Sequence, residues 1–351
     1  MVTMKVLDAD KMQQREWDVL LARNPDGGNV FQSHEMAETK RRGGWTPKYL
    51  IVDGIALTVL EKNVLLLGKY WYLPKGPGVV SLQGLSNVLP ALTEAARAAG
   101  VFAVKIEPEI LESDDADNEL RALGLIHTPP VQPNVSTVLL DISPSLDEVL
   151  ASLNQKGRHA IRRAERDGVT VKAVEHSEDS MRQMYRLLQD TANGRFESSI
   201  RDYEYYREFW TAFTQSGRGQ LFFAYFDGTI IAGAYSMYLG EKGLYKDGAS
   251  IREKTAYGAS HLLQWEIIKW MKVRGVKSYD FCGAPHSSSI NDESHKFYGV
   301  GRFKTSFNKK VTDYIGCYDI VINNQKYALW QKFVQRLIVS YEWRFKHRQW
   351  F

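Results

Sequence analysis

A short basic segment is the first part of this sequence whose residue types suggest a binding chemistry. Residues 154–171 contain five lysine and arginine side chains on a helix-like pattern, followed by a turn and an alternating, strand-like run. The five are Lys156, Arg158, Arg162, Arg163 and Arg166. Clustered cations bind polyanions such as a phosphate backbone, although a charge run is also commonly a solvated helix face. Both interpretations stay open at this point.

The C-terminal segment is basic as well. Residues 331–351 carry five lysine and arginine residues against one acid, Glu342, while the whole chain has a formal net charge of +4. Apolar residues recur there at helical spacing, and they are Tyr327, Trp330, Val334, Leu337, Ile338 and Tyr341. The pattern favours a helix that packs back on the first domain. The alternative is a membrane-surface helix with interfacial Trp and Arg, suited to a lipid-linked substrate.

The composition excludes several classes of protein. Hydrophobic residues make up 44% of the chain and aromatic residues 12%, which is typical of a globular protein, and 351 residues suit two domains. With two cysteines, Cys282 and Cys317, a disulfide framework or a thiolate metal site has no support, and a reducing cytoplasm is favoured. The first residues lack a signal-peptide layout, and no apolar run is long enough to cross a bilayer. We therefore expect a soluble cytoplasmic protein.

Hydrophobic periodicity predicts the same order of elements twice. In the first half a hairpin follows Pro47, a third strand comes next, and a helix ending at Gly100 leads into a fourth strand. In the second half a hairpin, a third strand, a helix over residues 259–274 that ends at Gly275, and a last strand repeat that order. Two copies of one unit indicate a mixed α/β (α+β) chain with twin domains.

This order of elements is that of the Gcn5-related N-acyltransferase fold, in which a strand-to-helix junction binds a cofactor pyrophosphate through backbone amides. Such a junction needs closely spaced glycines and an Arg or Gln. In the second half Arg252 and Gly258 are too far apart, and in the first half Pro74 and Pro77 remove two amide donors. We therefore expect two tandem domains of this fold that use an acyl donor other than acyl-coenzyme A.

Six further segments are spread over most of the chain, and they are VFQSHEMAETKRRGGW, WYLPKGPGV, VKIEPEI, RHAIRRAERDGVTV, AYGASHLLQWEIIKWMKVRGVKSYDFCGAP and FYGVGRFKTSFNKKVTDYIGCYDI. Together and in this order they resemble the FemABX family, whose members move an amino acid from aminoacyl-tRNA onto a peptidoglycan precursor. The resemblance implies a first, acceptor-binding domain over residues 1–133 and 318–351 and a second, tRNA-side domain over 134–317. The interval between the basic helix and Leu221 is too short for the coiled-coil arm that some members of the family carry, so the chain resembles the compact FemX type.

The resemblance implies residues for binding the acceptor. Lys40, in AETKRRGGW, and Arg201, in SSIRDYEYYREFW, match positions with which compact members hold the diphosphate of the UDP-linked muramyl peptide. Tyr205, in the same segment as Arg201, is a further substrate-binding candidate. A tyrosine of the family's third strand in the second domain is replaced near Lys246-Asp247.

The resemblance also implies the groups that carry the chemistry. Phe303-Lys304 matches a family pair tied to the aminoacyl-tRNA and the reacting ester, and Glu107 stands where compact members have an Asp. Phe303 and Phe307 alternate with polar residues, which predicts a strand that buries both rings and directs Lys304 to the opposite side. Lys304 would stabilise the oxyanion or the leaving ribose, and Glu107 would position the acceptor ammonium or accept its proton. Because the ester is already activated, no cofactor and no metal are expected.

The implied partners are aminoacyl-tRNA, contacted through Arg158, Arg162 and Arg163, and a muramyl-peptide acceptor that is either UDP-MurNAc-pentapeptide or lipid II. The protein is expected to act as a monomer, at the inner face of the membrane if the C-terminal helix contacts lipid. Two alternatives remain. One is an N-acyltransferase of the same twin fold with another donor such as acyl-coenzyme A, and the other is a non-catalytic RNA-binding protein.

Overall fold

The computed structural model describes residues 6–192, 200–251, 256–346 and 350–351, and the chain divides into two compact units. Unit 1 comprises Met1–Val135 and Asp313–Phe351, and unit 2 comprises Ser136–Thr312. The C-terminal segment is therefore part of the same unit as the N-terminal one. Arg252, one of the two residues compared at the second-half junction, lies outside the described residues.

The described part of the chain forms short and medium strands and helices. The strands are β1 (Val6–Asp8), β2 (Thr46–Val52), β3 (Ile55–Val64), β4 (Gly68–Leu73), β5 (Val101–Ile106), β6 (Leu125–Thr128), β7 (Ser136–Thr137), β8 (Leu139–Asp141), β9 (Thr170–Ala173), β10 (Gly219–Phe226), β11 (Thr229–Leu239), β12 (Lys242–Ser250), β13 (Ser278–Asp280), β14 (Thr312–Asp313) and β15 (Cys317–Val321). The helices are α1 (Lys11–Arg15), α2 (Trp17–Leu21), α3 (His34–Thr39), α4 (Leu82–Ala98), α5 (Ala116–Ala122), α6 (Leu146–Ser152), α7 (Gln155–Arg166), α8 (Glu178–Ala192), α9 (Tyr203–Gln215), α10 (Ala259–Val273), α11 (Tyr298–Lys304), α12 (Asn324–Leu329) and α13 (Gln335–Lys346).

Unit 1 is built on a seven-stranded sheet in the order β1-β2-β3-β4-β5-β15-β6. Strands β2, β3 and β4 form an antiparallel meander, and β5 runs parallel to β4 after the chain has crossed through α4. Strand β15, from the C-terminal segment, inserts between β5 and β6. The sheet of unit 1 is therefore completed by residues that follow unit 2 in the chain.

Unit 2 is built on a six-stranded sheet in the order β8-β13-β12-β11-β10-β9. Strands β10, β11 and β12 again form an antiparallel meander, and β13 runs parallel to β12 after α10. Three antiparallel strands, a helix and a parallel strand thus occur in both units. The predicted mixed α/β repeat is confirmed.

Helices α4 and α10 occupy the same place in the two units and end for the same reason. Leu263, Ile267 and Met271 of α10 are buried on one face, as their spacing predicts. Gly100 and Gly275 follow the two helices with φ angles of 73° and 79°. Glycine adopts this left-handed conformation without the steric penalty that other residues meet, so both helices end there.

The segment around Lys304 differs from its predicted structure. A strand was predicted over residues 303–307, but Lys304 is the last residue of helix α11. The strand prediction was wrong because a four-residue spacing of aromatic residues fits one face of a helical turn as well as one face of a strand. The rings of Phe303 and Phe307 both pack on His261 of α10, at centroid distances of 4.9 and 5.5 Å.

Helix α7 approaches two other backbone segments closely, and glycine makes both contacts possible. A Cβ atom on Gly157 would lie 2.4 Å from the carbonyl oxygen of Ser306. A Cβ atom on Gly258, which has a φ of 81° and precedes α10, would lie 2.1 Å from the carbonyl oxygen of Ala160. Helix α7 is therefore held against the turn that follows α11 and against the start of α10.

The C-terminal segment of unit 1 is a continuous run of α12, a π-helical turn over Trp330–Val334, and α13. The Trp330 ring is fully buried and lies 5.2 Å from Tyr70 and 5.8 Å from Phe102, measured between ring centroids. Leu337 and Tyr341, by contrast, are exposed. Within the described ranges, no helix combines the length and apolar character needed to span a membrane.

Replacing Gly157 by Ala tests the contact between α7 and Ser306. Alanine is the better helix former by roughly 1 kcal/mol, but the added methyl would meet a backbone oxygen that cannot rotate away. We expect a net loss of about 1–3 kcal/mol in the free energy of unfolding, the usual cost of overpacking. Urea unfolding measures it. Gly299→Ala in α11 is the matched control, since a Cβ there meets nothing within 4 Å, and it should be neutral or stabilising; equal effects of both changes would contradict the contact.

Replacing His261 by Phe tests the cost of keeping this histidine neutral. Burial lowers the pKa of His261 to about 4. Between pH 6.5 and pH 4, His261 is therefore protonated in the unfolded chain and neutral in the folded one. Stability due to the neutral ring is therefore complete above pH 6.5 and is lost as the pH falls towards 4, by up to about 3 kcal/mol. The phenylalanine variant should lose markedly less stability over that interval in urea titrations. His159→Phe, at an exposed position, should keep the wild-type pH dependence.

Candidate active site

Lys304 is a buried ammonium at the end of α11, with 7% of the residue exposed. Its Nζ donates to the carbonyl oxygens of Cys282 and Gly283, at 2.5 and 2.7 Å, in the segment that follows β13. An ammonium has three donors, and acceptors among the described residues take two of them, so one donor is left for another acceptor. Burial lowers the pKa of Lys304. This position can present one hydrogen-bond donor from a desolvated cation.

Strand β12 carries a second lysine of interest, Lys246, for which no role was predicted from the sequence. Ser236 pairs with Tyr245 and the preceding residue of β11 pairs with Asp247, so Lys246 is the extra residue of a β-bulge. Bulges redirect side chains and are common next to active sites. Lys246 Nζ lies 3.2 Å from Asp247 Oδ1; burial acts to lower the pKa of Lys246, but the carboxylate outweighs it and raises that pKa overall. The signal in the sequence was the Lys-Asp pair in the middle of the strand KGLYKDGAS.

Contacts within unit 2 connect Lys304 to Arg201. The ammonium of Lys304 lies 5.9 Å from the ring of Tyr245. Lys246, the residue that follows Tyr245 in β12, has its ammonium 5.4 Å from the ring of Phe209 on α9. Phe209 stacks on Tyr205 at 6.2 Å, and the guanidinium of Arg201 lies 4.4 Å above the Tyr205 ring. Three predicted site residues, Lys304, Tyr205 and Arg201, thus belong to one row of aromatic and cationic side chains.

A serine and a cysteine lie near Lys304, and neither has the geometry of an activated nucleophile. Ser306 Oγ donates to the carbonyl oxygen of Phe303 at 2.5 Å, so towards His261, 3.0 Å away, it acts as the acceptor. Nucleophile activation requires the opposite polarity. Burial raises the pKa of the Cys282 thiol, against the lowering effect of Lys304, and a protonated thiol is a poor nucleophile. The arrangement favours direct attack over a covalent intermediate.

Glu107 is buried in unit 1, just after β5, and three protein donors hold its carboxylate. Tyr72 donates to Oε2 at 2.5 Å, and the amides of Val131 and Gln132 donate to Oε1 at 2.6 and 3.0 Å. Burial and the nearby Glu107 carboxylate raise the pKa of Tyr72, so its hydroxyl stays a donor. A carboxylate has about four lone-pair positions. One position on Glu107 is therefore left for a further donor such as an ammonium.

Lys40 is also buried in unit 1, where α3 gives way to a short 3₁₀ helix, Lys40–Gly43. Buried lysines are rare in proteins because removing the charge from water is costly. The Lys40 carbonyl accepts from the Trp45 amide at 3.3 Å, and the Trp45 ring lies 6.2 Å from Tyr72, the residue that binds Glu107. Two aromatic residues thus connect the two predicted site residues of unit 1.

The strand-to-helix junction of unit 1 is filled by side chains of the chain itself. A Cβ atom on Gly76 would lie 2.5 Å from Gln32 Nε2, and one on Gly78 would lie 2.3 Å from Asn24 Nδ2. Gln32 donates to the carbonyl of Pro74 at 2.7 Å, and Asn24 is bonded to the backbone of β3. The backbone that binds a pyrophosphate in this fold is therefore packed against amide side chains here.

The three arginines predicted to contact tRNA have different surroundings on α7. The Arg158 guanidinium donates to the carbonyl oxygens of Ala151, at 2.8 Å, and Leu153, so it caps the end of α6. Arg162 is exposed, and Arg163 is an exposed residue that pairs with Asp167 at 3.2 Å. Arg162 and Arg163 are therefore placed to reach a ligand, whereas Arg158 has a structural role.

Tyr257 extends this basic surface and was not singled out from the sequence. Half of the residue is exposed. The Arg163 guanidinium lies 4.8 Å from its ring centroid, and the His159 ring lies 6.3 Å away. Exposed aromatic rings beside arginines stack on unpaired bases in RNA-binding proteins. No local signal marked Tyr257, because its neighbours on α7 are about a hundred residues away in the sequence.

Comparison with known proteins agrees with the twin architecture. Residues 151–296 match the family described as "Acetyltransferase (GNAT) domain". The solved structure described as FemX superposes with a TM-score of 0.79 at 22% identity, covering 95% of this chain and 100% of that one. A tandem GNAT protein from the clavulanic acid biosynthesis pathway superposes with a TM-score of 0.51 at 12% identity, covering 91% and 99%.

The sequence relationship extends over nearly the whole chain. A lipid II:glycine glycyltransferase of Staphylococcus aureus (strain MRSA252) is 24% identical, with 92% of this chain and 95% of the relative covered. The alignment runs over 407 positions, more than the 351 residues of this chain, so the relative has residues without a counterpart here. The resemblance inferred from the sequence is confirmed: this chain is homologous to the lipid II:glycine glycyltransferases, and it has the fold of FemX, built on two tandem GNAT-like domains.

Proposed function

We propose that this chain moves an amino acid from aminoacyl-tRNA to the side-chain amine of a peptidoglycan stem peptide. The name of its homologues specifies lipid II and glycine, which supports a muramyl-peptide acceptor and makes glycine the first donor to test. UDP-MurNAc-pentapeptide is the water-soluble alternative acceptor. The observation that carries the proposal is the buried Lys304 ammonium with one donor remaining.

The reaction needs no redox step and no external energy source. The neutral amine attacks the ester carbonyl, a C–N bond forms and the ester C–O bond breaks. One proton passes from the amine to the departing ribose oxygen, which leaves as a hydroxyl. The tetrahedral oxyanion, which forms after the attack and before the ester bond breaks, is the species of high free energy that the enzyme has to stabilise. A desolvated donor already in place stabilises such an anion more than the neutral ester, and this difference lowers the barrier.

Lys304 is proposed to supply that donor. Its contacts to the Cys282 and Gly283 carbonyls fix the direction of the ammonium before substrate binds. Burial also means that few water molecules compete for the remaining N–H. Phe303, one residue earlier, is proposed to line the donor side, and its ring is held by His261.

Glu107, Lys40 and Arg201 are proposed to handle the acceptor. The position left open on the Glu107 carboxylate suits an ammonium, which it can orient and whose proton it can receive. Lys40, in unit 1, and Arg201, in unit 2, are each proposed as a cation for acceptor phosphate, Arg201 through a planar guanidinium suited to bidentate contacts. Tyr205 holds that guanidinium from one side through a cation–π contact.

An N-acyltransferase that uses acyl-coenzyme A is the second candidate, favoured by the GNAT match over residues 151–296. Two observations speak against that donor. Gly76 and Gly78 of unit 1 are covered by amide side chains, and Gly258 of unit 2 faces a backbone carbonyl of α7. A carbonyl oxygen repels a pyrophosphate oxygen, so at these three glycines the described backbone does not offer the usual cradle of amides.

The test is mass spectrometry of the acceptor after incubation with charged tRNA. We expect UDP-MurNAc-pentapeptide or lipid II to gain the mass of one amino acid, glycine first among the donors tried, and the gain to disappear when ribonuclease is added. Lys304→Met should lower turnover by about 10²–10³, the usual cost of one oxyanion donor, with acceptor affinity nearly unchanged. Lys309→Met, at an exposed lysine five residues on, should leave turnover unchanged.

Four outcomes would overturn parts of this proposal. Transfer from acetyl-coenzyme A that survives ribonuclease would select the second candidate. Binding of tRNA with no change of mass in either acceptor would indicate an RNA-binding protein. Wild-type turnover in Lys304→Met, with the circular dichroism spectrum intact, would remove Lys304 from the chemistry, and a selective loss of tRNA affinity would make it a docking residue.

Arg162 and Arg163 are proposed to contact the phosphate backbone of tRNA, and replacing both by Gln tests this. Each lost phosphate contact removes about 0.7–0.9 from the slope of log K against log salt concentration, so the double variant should lower the slope by about 1–2. Filter binding over a salt series measures it. Arg182→Gln, at an exposed arginine of α8, is the control and should keep the full slope.

Arg158 is left out of that variant because its guanidinium caps α6. Arg158→Gln is expected to lower stability as well as affinity, and so cannot separate the two effects. An unchanged slope in the Arg162 and Arg163 double variant would show that this face of α7 is only solvated.

A further inference from the structure

The C-terminal helix carries a row of large apolar side chains in contact with solvent. We call this the apolar stripe, and its members are exposed by 52%, 53%, 68%, 50% and 72%; they are Leu329, Phe333, Leu337, Tyr341 and Phe345. Single exposed apolar residues are normal on protein surfaces, but a contiguous set marks a place of interaction. Tyr341 and Phe345 already touch, with ring centroids 5.2 Å apart.

The π-helical turn reduces how far the stripe winds around the helix. Residues four apart in a regular α-helix advance by about 40° per step. The wider turn over Trp330–Val334 turns less per residue and offsets part of this advance at the step from Leu329 to Phe333. The turn thus brings Leu329 closer to the line of the members that follow it.

The helix cannot roll to bury the stripe in its own unit. Tyr327 donates to Asp319 Oδ2 at 2.9 Å, Gln331 donates to the Tyr327 hydroxyl at 2.7 Å, and Trp330 is fully buried. Farther along, Glu342 is also buried. These residues fix the opposite side of residues 324–346 against unit 1, so the stripe faces outward as a permanent feature.

The charges around the stripe identify what covers it. Residues 324–346 contain five basic residues and one acid, and the acid is the buried Glu342. Lys332 lies 5.2 Å over the Phe333 ring, and Arg336 and Arg344 are exposed. Cations interleaved with aromatic and aliphatic side chains suit a surface that is negative outside and apolar beneath. Two copies of this helix would bring like charges together.

We propose that residues 324–346 form a docking helix for an anionic lipid bilayer, with the apolar stripe at the boundary between headgroups and acyl chains and the basic residues among the headgroups. The inference rests on the stripe and its charges and does not depend on the proposed reaction. With a lipid-linked acceptor, it would hold the enzyme at the surface where that acceptor lies.

Vesicle co-sedimentation of the full chain tests the docking helix. The wild type should bind vesicles of phosphatidylcholine mixed with phosphatidylglycerol, bind those of phosphatidylcholine alone far more weakly, and be released by salt. The Leu337→Ser, Phe345→Ser double variant should bind about 10- to 100-fold more weakly, because it loses two apolar side chains that the bilayer would partly bury. The Leu65→Ser, Leu66→Ser double variant removes a pair that is 84% and 91% exposed elsewhere in unit 1 and should bind like the wild type.

Equal binding by both double variants and the wild type, with unfolding midpoints alike, would overturn the proposal. So would a concentration-dependent dimer that the Leu337 and Phe345 changes abolish while the vesicles stay free, because the stripe would then join two copies. Turnover of UDP-MurNAc-pentapeptide separates this inference from the reaction. The docking variant should keep that turnover, and failure of all transfer would leave the vesicle result standing by itself.

Discussion

The burial of the Lys304 ammonium is the constraint on which the rest of unit 2 depends. A cation removed from water is strongly disfavoured unless polar groups replace its hydration, and the Cys282 and Gly283 carbonyls do so at 2.5 and 2.7 Å. Cys282 presents its carbonyl from a φ of 59°, a region that residues other than glycine seldom occupy. The end of α11 and the segment after β13 must therefore form together. The lysine of α11 requires acceptors for its ammonium, and the two carbonyls require a donor.

Close backbone contacts then hold α11 in place with little freedom. A Cβ atom on Gly301 would lie 2.7 Å from Ile290 and 3.0 Å from Pro285, and one on Gly157 would strike the Ser306 carbonyl. In each contact the main chain packs against main chain or against a packed side chain. Such a contact has fewer freely rotating side-chain bonds than one between two side chains, so it allows less movement of the helix. Helix α7 takes part in this packing with one face and exposes Arg162 on another.

The sequence predicted the architecture better than the site. Strands β2 and β12 and helices α4 and α10 follow from local periodicity, and Gly100 and Gly275 mark two helix ends, because these signals lie within one turn or one strand. The bulge at Lys246 depends on pairing with β11, and the three donors to Glu107 come from residues 24 to 35 positions away. The four-residue spacing of Phe303 and Phe307 fits both a strand and a helical turn. Only the packing of the two rings on His261 decides between a strand and a helical turn.

Family resemblance supplied residues that no local pattern could have selected, such as Lys40 and Arg201. Their surroundings still had to come from the structure. Lys40 is buried, and Arg201 lies over a tyrosine ring. Arg158 shows the reverse case, because a residue chosen for its charge turned out to complete a helix end. Residue type and order can identify a candidate, whereas the partners of its polar atoms decide what it is able to do.

The side chain that fills the junction of unit 1 makes that junction hard to open for a phosphate. Asn24 lies against Gly78, and its amide both donates to the Ala56 carbonyl and accepts from the Ala56 amide, each at 2.8 Å. A substitution that reopened the junction for a phosphate would strand two buried backbone groups of β3, each at a cost of about 1–3 kcal/mol. A substitution of Asn24 therefore cannot open this junction at neutral cost, because the same amide completes the hydrogen bonds of the unit 1 core.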